Sequence, residues 1–556
     1  MANSNSYTNP SDELRHQLLR QALERDERLD DYDNIIALLN PPPEINQYAK
    51  PGSLKNKKIG IIGAGLTGLA AAYELRKLGA DITIYEASMN RIGGRVYTIY
   101  FDKTNHFFGE TGAMRIPVSH ETTWHYINLF GLATESLTSL QSNNILYAHG
   151  IRLRRERSGK NIEEQLYPLY NLTEKERNTP WPVLSDYASS SMLKSLTPAL
   201  RTEILKILPE YSKQYADITR LSTREVYEQL GLSQEAINLI SAVEPFNSAL
   251  LSVSHDEAMN SEYTLDFLNT YRIQGGMINL PNAFYQSLTN KNPPELVSSD
   301  EPLGNVTFLF GSPVNKIEQT LSLDQITLYY NNPANEQHSD TYDYVICTTP
   351  FSTLREIDIT PSLSNQKTQA IKELNYCDAQ KTLFLCKERF WEKDDESGRM
   401  NGGISFTDLP IQSIVYPPDH IHCMNTDDCS YHEPGVLVAS YNLGQDSIRL
   451  SNQDSNRRYE LIKREVEQVH GLSDHYLDDQ VVLHKTVHWS TEYWARGAFA
   501  CSNPGQKINF LHAMIQPEYN NHLYFAGEHA STKQGWMQGA LYSGKFTANV
   551  LAKQLS

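Results

Sequence analysis

An α/β fold is what this sequence predicts, and three observations carry the prediction. A short apolar run, Ile59 to Ile62, meets a glycine-rich turn, Gly63-Ala64-Gly65-Leu66-Thr67-Gly68, that opens a helix-forming stretch. A second apolar run, Ile82 to Tyr85, ends on an acid, Glu86, roughly twenty residues beyond the turn. Far along the chain two more runs have strand character, Asp343 to Thr349 and Leu523 to Phe525, and Gly535-Trp536-Met537 starts a last helix. Strand, helix and strand at the first spacing form a βαβ unit of a Rossmann-type sheet, and the late strands make that sheet discontinuous in sequence.

Each position of the turn has a reason. Gly63 lets the chain turn sharply out of the first strand, Gly65 has no Cβ to obstruct a pyrophosphate, and Gly68 lets the helix lie close on the sheet. Leu69, Ala70, Ala71, Ala72 and Leu75 continue as a strong helix, whose N-terminus favours the phosphate charge. Glu86 emerges at a strand end, where its carboxylate can accept both hydroxyls of an adenosine ribose and repel an additional phosphate. Val314, following Phe308-Leu309-Phe310-Gly311-Ser312-Pro313, sits where a strand can lay backbone groups against an adenine.

At 556 residues the chain exceeds one core, so several units are expected. A formal net charge of −17 argues against nucleic acid and against anionic membrane surfaces. No apolar run is long enough to span a bilayer, and the start Met1-Ala2-Asn3-Ser4 lacks the pattern of a signal peptide. The 6 cysteines, with no C-x-x-C, do not make a disulfide framework; they point to a reducing, cytoplasmic compartment. His420, His422, Cys423, Cys429 and His432 fall in one loop-like segment with Asp427 and Asp428, a set zinc would accept. Their spacing matches no finger or ribbon, so the reading is a polar loop and no metal site.

In chain order, residues 1–56 read as a helical arm, with Ser11 as an N-cap and Leu14, Leu18, Leu19 and Ala22 on one face. Residues 57–118, 272–360 and 500–556 supply the nucleotide unit. Residues 119–160 and 361–499 form a second unit on a mixed sheet, and residues 161–271 a helical insertion in which Ala199 to Leu208 has helix spacing.

Over most of its length the chain resembles the L-amino-acid oxidases of the flavin amine oxidase (monoamine oxidase-like) family. The resemblance lies in Gly63 to Gly68, Glu86 to Arg95, Glu110-Thr111-Gly112-Ala113-Met114-Arg115-Ile116-Pro117, Lys381 through Trp391, Tyr416-Pro417, Gly497-Ala498-Phe499, Phe525 to Glu528 and Gly535 to Gly544. It implies a glutathione-reductase-like, FAD-binding Rossmann-type domain. Gly63, Gly65, Leu66, Thr67 and Gly68 would hold the cofactor at the turn, and Glu86, Ala87, Gly94 and Arg95 beyond the second strand. Gly112, Ala113, Met114, Arg115 and Val314 would line it further on, and Trp489, Glu528, Trp536, Met537 and Ala540 would close over it.

The resemblance also implies a substrate site. Arg115 pairs with an α-carboxylate, Tyr416 donates a hydroxyl to the same group, Gly535 and Trp536 flank the substrate, and Lys381 holds a water beside flavin N5. Ala498 stands where monoamine oxidases tether their flavin through cysteine, which implies non-covalent FAD. The implied reaction is oxidative deamination of an L-amino acid by hydride transfer from Cα to N5, with dioxygen reoxidising the flavin to give hydrogen peroxide. An amino-acid 2-monooxygenase, which decarboxylates to an amide, and a monoamine or polyamine oxidase are the alternatives. Glu244 is the candidate carboxylate for a basic side chain and Phe246 the candidate wall for an apolar one. A homodimer or higher oligomer is implied by kinship.

Overall fold

The computed structural model describes residues 9–137, 143–244, 246–296, 302–322, 324–393, 399–420 and 429–555. Five parallel strands form the nucleotide sheet, in the order Val306–Phe310, Asp81–Glu86, Lys58–Ile62, Tyr344–Cys347 and Leu523–Phe525. Beyond the exposed Lys58, the strands Lys58–Ile62 and Tyr344–Cys347 at its centre are almost entirely buried, because both faces are covered. The crossover helix Leu66–Arg76 is buried at every position. It packs against the closing helix, Met537–Lys553. Two glycines permit the approach: a Cβ on Gly68 would lie 2.1 Å from the Gly63 carbonyl oxygen, and one on Gly544 would lie 2.3 Å from that of Thr67.

A second, seven-stranded sheet is mixed. Its order is Val481–His488, Ala379–Cys386, Gly435–Leu443, Ser413–Val415, Ile404–Thr407, Ile145–Ala148 and Ile151–Arg154, with one parallel pairing between Ile404–Thr407 and Ile145–Ala148. Alternation along Ala379–Cys386 divides its two faces. Leu383 and Leu385 join a core with Leu184, Ile237 and Ile240 of the helical region. Phe384 and Cys386 face the opposite way, onto Ile462 and Val466 of the helix Ser455–His470. Lys381 shares the parity of Leu383 and so faces the helical region.

Several expectations need correction. Ser11 does cap the first helix, Asp12–Arg25, accepting from the Leu14 N–H at 3.2 Å. Leu14, however, is 44% exposed, and the buried face is Arg15, Leu19, Ala22 and Leu23. The helix is turned so that Arg15 can donate to Glu121 at 2.6 Å and to the Val118 carbonyl at 2.7 Å. The run from Ala199 is not one helix: Pro198–Arg201 is a single α-turn that tightens into a 3-10 turn, Thr202–Leu205. There the Thr202 hydroxyl donates back to the Ala199 carbonyl at 2.7 Å.

Cys347, Cys377, Cys386 and Cys501 are buried free thiols. Cys429 is disulfide-bonded, which the sequence reading did not anticipate. In the same loop region His420 pairs with Glu392 at 2.6 Å and His432 with Glu388 at 2.9 Å. His422, Cys423, Asp427 and Asp428 lie outside the described residues. Among the described residues, no helix is long and apolar enough to cross a membrane, and no group of His, Cys, Asp and Glu is arranged to hold a metal ion.

Candidate active site

One cavity of about 1130 Å³ runs from the glycine turn into the helical region. At the nucleotide end, Gly63 adopts φ +105° and its N–H donates to the Tyr85 carbonyl at 2.8 Å, bending the chain out of the strand. A Cβ on Gly65 would meet no heavy atom within 4 Å, so the surface in front of the helix is open. No side chain caps the N-terminus of Leu66–Arg76, leaving first-turn N–H groups for an anion. Glu86 is fixed by two backbone donors, Ala64 N–H at 3.0 Å and Ser88 N–H at 2.8 Å. Burial raises its pKa, and those hydrogen bonds work against the rise.

A second uncapped helix N-terminus, at Trp536 before Met537–Lys553, opens on the same cavity. Nearby, Glu528 pairs with Arg95 at 2.7 Å and accepts the N–H groups of Ala500 and Gly535 at 3.1 and 2.8 Å. Two helix N-termini, an open glycine and a backbone-held carboxylate fit a dinucleotide such as FAD: pyrophosphate at Gly65, ribose at Glu86.

At the other end one buried side chain is left unsatisfied. Arg115 is 6% exposed, and its Nε and Nη2 have no hydrogen-bond partner. Burial lowers its pKa, and Tyr441 opposes that. Arg15 and Arg201, also buried, are paired with the carboxylates of Glu121 and Asp31. Lys381 donates to the Gly112 carbonyl at 2.7 Å, and its Nζ lies 4.4 Å from the centre of the Tyr441 ring. Burial, then the charge of Arg115, pulls its pKa down to about 7 against the pull of Glu110. Trp489 is anchored by its Nε1–H donating to the Thr111 carbonyl at 2.8 Å. Trp536 stands edge-on to His120 and Phe267, with ring centroids 5.0 and 5.9 Å away. Behind it His120 and Lys533 converge on Asp266 at 3.0 and 2.5 Å, a polar cluster the sequence did not suggest.

The cavity is lined by Gly535 and Lys381 and by the expected cofactor residues, with Gly68 and Tyr416 the exceptions. Gly68 acts through helix packing instead. Tyr416 requires correction as a substrate ligand. It is fully buried on the far face of the seven-stranded sheet, where its hydroxyl bonds with Ser405 Oγ at 2.8 Å and His470 Nε2 at 2.9 Å. Tyr441 takes the place beside Arg115, paired in register with Lys381. The register along Gly435–Leu443 jumps by a residue, from Val438 opposite Leu383 to Ser440 opposite Thr382. That bulge at Ala439 moves Tyr441 onto the face of Val436 and Val438. The strand that pairs with that of Lys381 is the third along the sequence, after Ile404–Thr407 and Ser413–Val415, so sequence order does not point to Tyr441.

Comparisons agree with this architecture. Residues 66–552 match the family model described as flavin containing amine oxidoreductase. An L-amino-acid oxidase of Sistrurus catenatus edwardsii is 29% identical over 533 residues, covering 94% of this chain and 91% of that protein. One of Vipera ammodytes ammodytes is 28% identical, covering 94% and 97%. A solved putrescine oxidase bound to putrescine superposes with a TM-score of 0.64 at 18% identity, covering 88% of this chain and 98% of the other. The cyclohexylamine oxidase of Brevibacterium oxydans IH-35A gives 0.64 at 17%, covering 90% and 99%. At such identities these two likenesses speak to fold alone. With the family model spanning most of the sequence and the cavity shaped for its dinucleotide, the chain belongs to the flavin containing amine oxidoreductase family and its cofactor is FAD.

Proposed function

We propose that the protein oxidises L-amino acids to 2-oxo acids, releasing ammonium and hydrogen peroxide. The observation that carries this reading is Arg115, a buried guanidinium whose Nε and Nη2 lack hydrogen-bond partners in the substrate end of the cavity. Leaving such donors bare is costly, and a substrate carboxylate would satisfy them in a planar, two-point contact. An amine without a carboxylate would leave them bare and add a like charge. Tyr441, whose pKa burial raises, stays protonated and can donate to the same carboxylate.

The flavin, when bound, supplies the two-electron chemistry, taking a hydride from the substrate Cα and passing electrons to dioxygen. The chain supplies binding, orientation and proton control. Gly63, Gly65, Thr67, Glu86 and Arg95 would hold the nucleotide part and Glu528, Trp489, Met537 and Ala540 the other end, without a covalent link. Ala498 offers no thiol, and Cys501, which also lines the cavity, has its pKa raised by burial and stays protonated. Trp536 and Gly535 wall the substrate.

Burial and the nearby cations Arg115 and Lys381 would disfavour a further positive charge in this end of the cavity, which favours the neutral amine needed for hydride loss. With its pKa near neutrality, Lys381 can hold a water and move a proton at Nζ during the oxidative half. We read residues 57–118, 272–360 and 500–556 as the cofactor unit and the remainder as the frame that brings Arg115, Lys381 and Tyr441 together.

The test is a panel of L-amino acids beside putrescine and cyclohexylamine, assayed on the purified flavoprotein for peroxide and 2-oxo acid. Oxidation of amines with no amino acid turned over sinks the reading. Carbon dioxide and amide in place of 2-oxo acid would show the decarboxylating reaction instead.

A further inference from the structure

The cavity continues past Arg115 between three helices, Trp181–Ser195, Gln234–Val243 and His255–Tyr263, and its charge there is opposite. Glu244, Glu257 and Glu262 all line it. Three other acids of the same cavity are paired with cations, Glu528 with Arg95, Asp266 with Lys533 and Glu356 with Arg496, and Glu86 is held by backbone N–H groups. None of Glu244, Glu257 and Glu262 is in a direct ion pair among the described residues, although Lys507 acts on Glu257, and Arg28 and Lys194 on Glu262, at longer range. One cavity therefore holds a buried cation lacking an anion at one end and carboxylates lacking a cation at the other.

We propose that the substrate is an L-amino acid with a cationic side chain, and that Glu244 is the residue that recognises that cation. This rests on the amino-acid reading above and deepens it. Glu244 is favoured among the three acids by its setting. It follows directly on the helix Gln234–Val243, its own N–H donating to the Ile240 carbonyl, so it stands at the negative end of that helix dipole, which disfavours an unpaired carboxylate and favours a cation bound beside it. The Ser185 hydroxyl donates to its Oε1 at 2.7 Å, which orients the carboxylate and leaves Oε2 for a ligand. Two residues on, Phe246 packs on Tyr441 with ring centroids 4.8 Å apart, linking this carboxylate to the proposed α-carboxylate anchor.

The other two acids are less suited. Glu257 accepts the Ser502 N–H at 2.7 Å on the cofactor side, and burial pushes its pKa to about 7. Burial also raises that of Glu262. A flexible aliphatic chain can lie along Phe246 while its terminal ammonium or guanidinium meets Glu244. A neutral side chain would leave the carboxylate desolvated and unpaired, which is the source of discrimination.

The experiment compares L-lysine with L-norleucine, its uncharged counterpart, on the holoenzyme. Wild type should show kcat/KM for lysine about tenfold or more above norleucine, and Glu244→Gln should bring the two within roughly threefold. Glu244→Asp, which keeps the charge, should restore part of the ratio. If Glu244→Gln does not retain flavin, Ser185→Ala removes only the orienting hydroxyl and should lower the ratio severalfold. A wild type that prefers norleucine, or a ratio that survives these substitutions, overturns the inference while the amino-acid reading stands. Turnover of amines with neither amino acid oxidised overturns the underlying reading itself.

Discussion

The two ends of the cavity bind by different means. At the nucleotide end, binding groups belong to the backbone: free N–H groups of two helices, an open glycine, and a carboxylate that two peptide N–H groups hold in place. At the substrate end they are side chains: strand register sets Lys381 beside Tyr441, and Arg115, which joins them from a distant segment, is left short of partners. Backbone-built binding is rigid and tolerates little change at its glycines. Side-chain binding stores its specificity in unsatisfied charge, and removing one group should change the chemistry while leaving the fold.

Arg115→Ala should give the largest separation of the two ends. Amino-acid kcat/KM should fall by the cost of a lost buried charge contact, about 2–5 kcal/mol or roughly thirty- to several-thousand-fold, with flavin absorbance retained. Parallel loss of flavin would show that the ends are not independent. Gly65→Val inverts the experiment. The backbone there, φ −76° and ψ 172°, suits any residue, so the fold should persist while flavin affinity drops by about tenfold or more, read by fluorescence titration of apoprotein. Unchanged affinity would mean the phosphates do not pass over this position.

The smallest effects come from a matched pair on the two faces of one sheet. Tyr441→Phe removes a donor proposed for a charged ligand and should lower kcat/KM by about tenfold or more. Tyr416→Phe should leave kcat/KM within about twofold and instead cost about 1 kcal/mol of stability, because Ser405 and His470 lose a buried partner. The reverse outcome would return the ligand role to Tyr416.

The difference between the ends also explains what was legible in the sequence. The glycine turn, its helix and Glu86 are local, so the crossover unit could be read residue by residue from spacing and propensity. The late strands Tyr344–Cys347 and Leu523–Phe525 were visible as apolar runs ending in small residues or an acid. Arg115 and Lys381 came from the resemblance, since neither has a local pattern that sets it apart from a surface cation. Tyr441 was missed because its face depends on one bulged residue, Ala439, and a slip of one residue exchanges the two faces of a strand. The first helix was misphased for a related reason: burying Arg15 against Glu121 outweighed exposing Leu14, a pairing across more than a hundred residues that periodicity cannot contain.

The seal between Gly544 and the Thr67 carbonyl has a consequence for biogenesis. The glycine turn leaves the ribosome first, whereas the helix that locks over it lies several hundred residues further along the chain. The phosphate cradle therefore stays uncovered until that helix has been made, and firm capture of the yellow prosthetic group waits on its arrival.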